Sequence, residues 1–369
     1  MMRILYDHQV FSLQSAGGAS RYYYELVRAL AGETNLRLDL WLGMNDTAYP
    51  FRELASPPAH VVGWRGGLAR GSSRYVANEV LGNALAPFAG TVDVYHPTLY
   101  RSMPLVRARR LVATHHDCAH ERYPELFANA GQIVRAKRRL YARADAIICV
   151  SQSSRQDLFR FYGVPPEKTR VIYHGLRPLA GSVAAAVELR ARVPSDYLLF
   201  VGSRAAYKNF DALLRAFKSS GLDRDLLLLV AGGGPLSPAE RALARELHLG
   251  SSLVVIPQIP DAYLAEAYAA ATLLVYPSRC EGFGFPPLEA MAAGCPVLAS
   301  CSSSLPEVCL DAPFYFDPED PASLERALPA AVWGESARRR ARKRGREVAS
   351  LYRWKKCARE TLALYRECQ

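Results

Sequence analysis

No stretch of this sequence approaches the roughly 20 apolar residues that a membrane-spanning helix needs. The longest apolar runs, Leu226–Ala231 and Ala269–Tyr276, are of strand length. None of the eight cysteines, at 118, 149, 280, 295, 301, 309, 357 and 368, forms a Cys-x-x-Cys pair. That argues against a zinc ribbon and against a secreted disulfide framework. Met1 to Asp7 has no charged segment leading into an apolar one, so no signal peptide is expected. Free thiols and the missing apolar spans together lead to the expectation of a cytoplasmic protein. Lysine is scarce: seven of the 46 basic residues are Lys, so 39 are Arg, against 35 acidic residues and a net charge of +11. Guanidinium groups suit anionic ligands. A GC-rich genome produces the same bias, so it assigns no ligand.

What is present is globular. The 369 residues suggest two domains. A content of 50% hydrophobic and 22% charged residues excludes a disordered or collagen-like chain. Short aliphatic runs alternate with amphipathic stretches. Strands are expected at Ile4–Tyr6, Leu36–Leu42, Val92–His96, Leu111–Thr114 and Ala146–Val150, with helices over Ser20–Leu30 and Ala130–Arg143. The rhythm restarts at Tyr197–Gly202 and continues through strands Leu226–Ala231, Leu253–Pro257 and Thr272–Tyr276. Helices Phe210–Lys218, Pro238–Leu247 and Ala262–Ala270 lie between them. Such βαβ alternation means parallel sheets covered on both faces, here two doubly wound domains with a boundary near 176–190. Leu179–Val187 is expected to be irregular. The run Arg338–Arg346, seven basic residues in nine, is expected to be a solvated helix face.

The segment richest in chemistry is Glu281-Gly282-Phe283-Gly284-Phe285-Pro286-Pro287-Leu288-Glu289, following the apolar strand that ends at Tyr276. A Gly-aromatic-Gly loop presents backbone N–H groups to oxyanions. Pro286-Pro287 pre-sets a first helical turn, and the helix N-terminus favours phosphate. One carboxylate precedes the loop and the other is expected in the first helical turn. At that spacing each can grip hydroxyl groups at opposite ends of an elongated ligand.

These residues resemble the E-x7-E signature of retaining family 4 glycosyltransferases, and the resemblance extends over nearly the whole chain. Gly17-Gly18 with Arg21-Tyr22 resembles the N-terminal glycine loop, and Thr114-His115-His116-Asp117 the His-Asp strand end. Val150-Ser151-Gln152-Ser153-Ser154 resembles a helix-opening segment, and Gly202-Ser203-Arg204 to Lys208-Asn209 the donor-phosphate clamp. The family implies the GT-B fold, α/β, with two Rossmann-like doubly wound domains facing across a cleft. An N-terminal acceptor-side domain over 1–176 and a C-terminal nucleotide-sugar domain over 177–349 are expected. The closing helix, 350–369, is expected to pack back on the first.

The resemblance also implies roles. Glu289 would hold the ribose hydroxyls, Glu281 the donor sugar near the reacting carbon, and Arg204 and Lys208 the diphosphate. Gly17 and Gly18 would let backbone approach the phosphate, and His116 would lie near the donor sugar. Gln258 and Ile259 would read the base, with Gly282, Phe283, Gly284, Phe285 and Leu288 completing the donor site. Neither a cofactor nor a metal is expected, since Arg204, Lys208, amides and a helix dipole can neutralise the leaving diphosphate. His174, where many relatives carry Asn, receives no role.

Segments such as Glu121–Phe127 resemble bacterial mannosyl- and surface-polysaccharide transferases, including those of lipopolysaccharide assembly. GDP-mannose is therefore favoured over UDP-sugars as donor, with a glycan or lipid-linked acceptor. Arg135, Lys137, Arg138, Arg139 and Arg143, with Arg107, Arg109 and Arg110 upstream, are expected to touch an anionic membrane surface peripherally. Among the alternatives, a nucleotide-sugar epimerase lacks the E-x7-E spacing. An NAD-dependent dehydrogenase needs a G-x-G-x-x-G that Gly17-Gly18 does not supply. A basic nucleic-acid-binding protein needs an aromatic platform that is missing here, so no nucleic-acid partner is expected.

Overall fold

The structure is a computed structural model describing residues 1–54, 59–66, 72–101 and 106–367. Cys368, one of the eight cysteines, lies outside these. The chain divides into two compact units, Met1–Gly175 with Arg353–Gln369, and Leu176–Tyr352. Each is a parallel sheet with helices on its faces, the Rossmann-like α/β architecture expected from the alternation.

The first unit contains β1 (Met2–Tyr6), β2 (Leu36–Asn45), β3 (Ala59–Arg65), β4 (Val92–His96), β5 (Ala108–His115), β6 (Ala146–Cys149) and β7 (Thr169–Val171). Their order is β3-β2-β1-β4-β5-β6-β7, with every pairing parallel. Ile147, Ala113 and Leu5 from the strands pack with Leu140 and Tyr141 of the helix Ala130–Arg143. The last helix, Trp354–Glu367, belongs to this unit. Its Tyr365 hydroxyl lies 2.9 Å from that of Tyr6 and 2.6 Å from His96 Nδ1, so it is locked to β1 and β4.

The second unit contains β8 (Tyr197–Val201), β9 (Leu227–Ala231), β10 (Leu253–Ile256), β11 (Leu273–Tyr276), β12 (Val297–Ser300) and β13 (Phe314–Phe316). Their order is β10-β9-β8-β11-β12-β13. The order reverses between β8 and β11, so the chain leaves these neighbours in opposite directions and opens a crevice at their carboxyl ends. Leu198, Phe200, Phe210, Leu214, Phe217 and Leu298 anchor the core.

One local expectation fails. Leu179–Val187 is not irregular throughout, because a helix runs over Val183–Arg192. The Ser182 side chain accepts the Ala185 N–H as its cap, and Ala184-Ala185-Ala186 favours helix. The basic run does form a helix, Glu335–Ala349. Gly345 and Val348 are buried, and Arg339, Arg340 and Lys343 face solvent.

Candidate functional site

The carboxyl ends of β8 through β12 all point to one edge of the second sheet, and most of the singled-out residues follow them. Lys208 ends the short turn Ala206–Lys208 after β8, and Glu281 lies in the loop after β11. Across the reversal point Lys208 Nζ donates to Glu281 Oε1 at 2.5 Å and to the Tyr276 hydroxyl at 3.4 Å. The Tyr207 and Tyr276 rings flank the ammonium at 5.1 and 5.5 Å. Burial works against the Lys208 charge, but the Glu281 carboxylate outweighs it and holds its pKa well above the ordinary value. At 14% and 12% side-chain exposure the pair remains reachable from solvent.

A row of serines that the sequence reading did not single out holds the Glu281 segment in place. Ser300 Oγ donates to the Ser278 carbonyl at 2.5 Å, Ser302 Oγ to that of Arg279 at 2.7 Å and Ser304 Oγ to that of Glu281 at 2.9 Å. Ser303 Oγ accepts the Glu281 N–H at 2.8 Å from a left-handed backbone, φ 48°. Cys301-Ser302-Ser303-Ser304 directly after an aliphatic strand was the available signal, but serine runs mark ordinary turns just as well.

Glu289 is the fifth residue of the helix Phe285–Ala293, so it lies in the second turn and not the first as expected. The two prolines and Gly284 set the start of the helix earlier than the carboxylate alone suggested. Glu289 is buried, and its Oε2 accepts the Tyr268 hydroxyl at 2.9 Å. Gly284 caps the helix at φ 90°, and a Cβ there would lie 2.7 Å from Leu305 Cδ2. Glycine is therefore required twice over. No side chain caps this helix, and Pro286 and Pro287 have no N–H. Phe283 and Phe285 are buried with rings 5.4 Å apart, and Leu288 is fully buried. These three side chains pack the loop into the core, so what they offer a ligand is backbone.

Arg204 is placed differently from expectation. Its Nε donates to Glu240 Oε1 at 2.9 Å and Nη1 to the Gly232 carbonyl at 3.0 Å. Nη2 donates to the Gly234 and Pro235 carbonyls at 3.0 and 2.8 Å. Every guanidinium nitrogen is engaged and the side chain is 4% exposed, so Arg204 acts here as a brace for the glycine loop and not as an open phosphate grip. Gly232, Gly233 and Gly234 all have left-handed backbones, with φ of 84°, 75° and 79°. Only glycine follows such a path easily. The Gly234 N–H reaches the Pro257 carbonyl at 3.0 Å, next to exposed Gln258 and half-buried Ile259. The Asp-x-Asp triplet Asp223–Asp225 precedes β9, at the opposite end of the strands, and Asp223 is paired with Lys218 at 2.7 Å. Among the described residues no group of three His, Cys, Asp or Glu is placed to hold a metal ion.

In the first unit, Gly17 precedes the helix Gly18–Leu30, whose N-terminus carries no side-chain cap. The Gly17 carbonyl accepts the Arg21 N–H at 2.9 Å and the Ser20 hydroxyl at 3.1 Å. From the same helix the Tyr22 ring lies 5.7 Å from the His116 ring, just past β5. His115 and His116 differ sharply. His115 is buried, with Nδ1 2.8 Å from the Tyr141 hydroxyl and Nε2 3.5 Å from Cys118 Sγ. His116 Nε2 has no hydrogen-bond partner among the described residues. Burial lowers the pKa of His116 to about 4, so the ring is neutral at physiological pH. His174 lies 4.5 Å from Tyr22 and 6.4 Å from His116, ring to ring. It therefore belongs to this cluster although the sequence assigned it nothing.

The expected basic membrane face is one residue short. Arg135, Arg138, Arg139 and Arg143 are exposed, but Lys137 is fully buried and paired with Glu121. No helix among the described residues is long and apolar enough to cross a membrane.

Comparison with known proteins bears on both units. Residues 16–178 match the family model of Glycosyltransferase Family 4, and residues 186–348 that of Glycosyl transferases group 1. The chain is 30% identical over 362 residues to a D-inositol 3-phosphate glycosyltransferase of Streptomyces scabiei, covering 85% of this chain and 78% of the relative. It is 28% identical over 294 residues to O-antigen chain mannosyltransferase B of Escherichia coli, 74% of each chain. Among solved structures, sucrose-phosphate synthase from Thermosynechococcus elongatus superposes with a TM-score of 0.80 at 22% identity, over 100% of this chain and 99% of that one.

Proposed function

The chain belongs to the family 4 glycosyltransferases, and from that premise we propose that it transfers mannose from GDP-mannose, with retention at the anomeric carbon, to a glycan or lipid-linked acceptor. The observation carrying this reading is the Lys208–Glu281 pair at the strand-order reversal of the second unit. A lysine held charged supplies the counter-charge that a departing diphosphate needs, and an adjacent carboxylate accepts hydrogen bonds from sugar hydroxyls. Glu289 would take the ribose hydroxyls, with the Tyr268 hydroxyl fixing its carboxylate. The loop braced by Arg204, with Gln258 and Ile259, would flank the base. Backbone of the Gly282–Phe285 loop and of the Gly17–Gly18 turn would complete the phosphate contacts, and His116 would face the sugar. Lys208 with the glycine-capped helix supports a reaction without an essential metal. Mannose is favoured by the likeness to O-antigen chain mannosyltransferase B.

A nucleotide-sugar panel tests this. Release of nucleoside diphosphate is expected with GDP-mannose and unchanged by EDTA, and the anomeric proton of the product should keep the donor's configuration. Turnover of UDP-glucose, UDP-galactose or UDP-N-acetylhexosamine in place of GDP-mannose overturns the donor assignment. Loss of activity in EDTA with recovery on adding Mn²⁺ overturns the metal-free assignment. Exposed Arg135, Arg138, Arg139 and Arg143 support peripheral contact with anionic lipid, at roughly 1 kcal/mol each. Co-sedimentation with anionic liposomes at low salt is expected, and its absence removes the membrane assignment alone.

A further inference from the structure

Among the described residues Lys137 is the only lysine in the set of largest fully buried side chains, and the chemistry assigned above makes no use of it. It projects from the inner face of the helix Ala130–Arg143, beside buried Leu140 and Tyr141. Three groups surround its ammonium. Nζ donates to the Asp117 backbone carbonyl at 2.8 Å, lies 3.0 Å from Glu121 Oε1, and sits 5.1 Å from the centre of the Tyr100 ring. An ammonium has three protons, and a carbonyl, a carboxylate and an aromatic face can occupy all of them. Glu121, 2% exposed, also accepts the Tyr162 hydroxyl, so both charges are held from several sides.

The carbonyl is the informative contact. Asp117 directly follows His116, in the turn between β5 and the helix Ala119–Arg122. The turn is tied down elsewhere too. Ser154 Oγ donates to the His116 carbonyl at 3.3 Å, the Ala119 N–H reaches Asp117 Oδ1 at 3.1 Å, and Arg122 grips Asp157 at 2.9 and 2.5 Å. Lys137 adds a contact from the helix Ala130–Arg143. A buried ion pair is weak support for stability, since apolar groups of equal volume often serve as well. An apolar group cannot hold a carbonyl in place. We propose that Lys137 is a positioning residue: through the Asp117 carbonyl it sets the turn that presents His116, whose Nε2 has no partner among the described residues. The inference rests on the reading that His116 faces the donor sugar.

The test compares wild type, the double variant Lys137→Met with Glu121→Gln, and His116→Ala. The double variant removes the carbonyl contact and both charges of the pair, leaving the half-buried Asp117 carboxylate, and the amide oxygen introduced by Glu121→Gln still accepts from Tyr162. Turnover is read as nucleoside diphosphate released from whichever of GDP-mannose and UDP-glucose the wild type consumes. Affinity for the matching diphosphate is read by calorimetry. The double variant is expected to unfold within a few degrees of wild type and to bind the diphosphate within about twofold. Its kcat is expected to fall about tenfold or more, as displaced catalytic geometry does, with KM for the donor nearly unchanged. A kcat within threefold of wild type in the double variant, while His116→Ala loses tenfold, overturns the positioning role and leaves the assignment of His116 intact. Wild-type kcat in His116→Ala overturns that assignment and this inference with it. Hydrogen exchange on the wild type needs no variant: residues 115–121 should be among the slowest-exchanging turns of the first unit, and rapid exchange there overturns the proposal even if the double variant does not fold.

Discussion

The two units each contain a close lysine–glutamate pair at the carboxyl end of a parallel sheet, and the pairs are built for different work. Lys137 and Glu121 are 0% and 2% exposed, enclosed by Tyr100, Tyr162 and a backbone carbonyl. Lys208 and Glu281 are 14% and 12% exposed and join two loops where the strand order reverses. In the first pair every direction is filled, so it is a strut. In the second, both groups keep some exposure to solvent at the strand-order reversal. The surroundings, and not the residue types, separate an enclosed charge pair from one that solvent reaches.

The largest expected effect breaks the comparison on stability. Lys137→Ala strands the Glu121 carboxylate in the interior and should cost about 3–5 kcal/mol. Lys208→Ala leaves Glu281 12% exposed, so water can partly answer its charge, and should cost less, about 1–3 kcal/mol. Denaturant titration of both variants checks the order, and equal losses would mean that the burial contrast carries no energy. Activity should run the other way. Lys208→Ala is expected to lower kcat about 10²-fold, as loss of a preorganised charge at a leaving group does. A change under threefold in steady-state turnover removes Lys208 from the site.

Acid should separate the units next. Burial lowers His96 and His115 to about 3 and His116 to about 4, all in the first unit, while the second unit has only exposed His248. The unfolded chain binds these protons first, so the stability of the neutral rings is complete above about pH 6.5 and is lost as pH falls toward the folded values. At pH 5 each fully buried ring should cost on the order of 2 kcal/mol. Hydrogen exchange from pH 7 to 5 should show protection falling in Met1–Gly175 well before Leu176–Tyr352, and parallel loss contradicts it.

The smallest effect sharpens the second pair. Glu289→Ala should weaken nucleoside diphosphate binding roughly tenfold, the scale of one lost charged hydrogen bond. Glu281→Ala should leave that affinity within about twofold and lower turnover instead. Calorimetry with GDP distinguishes them, and equal losses refute separate roles at the two ends of the donor.

Most strands and helices were readable because periodicity is local: Leu226–Ala231 and Tyr197–Val201 are strand-length apolar runs, and Phe210–Lys218 has one apolar face. The failure at Leu179–Val187 was local as well, where the Ser182 cap and three alanines were read as small residues only. Arg204 and Lys137 are placed differently from expectation for another reason. Both were read as open cations, and their partners lie far along the chain. Gly232 and Glu240 are 28 and 36 residues from Arg204, and Asp117 is 20 residues from Lys137. A weak signal existed for Lys137, four residues after Ile133 and three before Leu140, on the apolar stripe of its helix.

By itself the sequence determined two parallel α/β units, a Gly-Phe-Gly loop between two carboxylates, and an excess of arginine. These follow from composition and from spacings shorter than a helix. The tertiary structure decided which charges are used up. It directed Arg204 onto the glycine loop, enclosed Lys137, left Lys208 beside Glu281 at the reversal point, and separated His116 from His115 by one unpartnered nitrogen. The reason is physical. Whether a charge is free depends on the desolvation it suffers and the partners that answer it, and both are supplied by residues that only folding brings near.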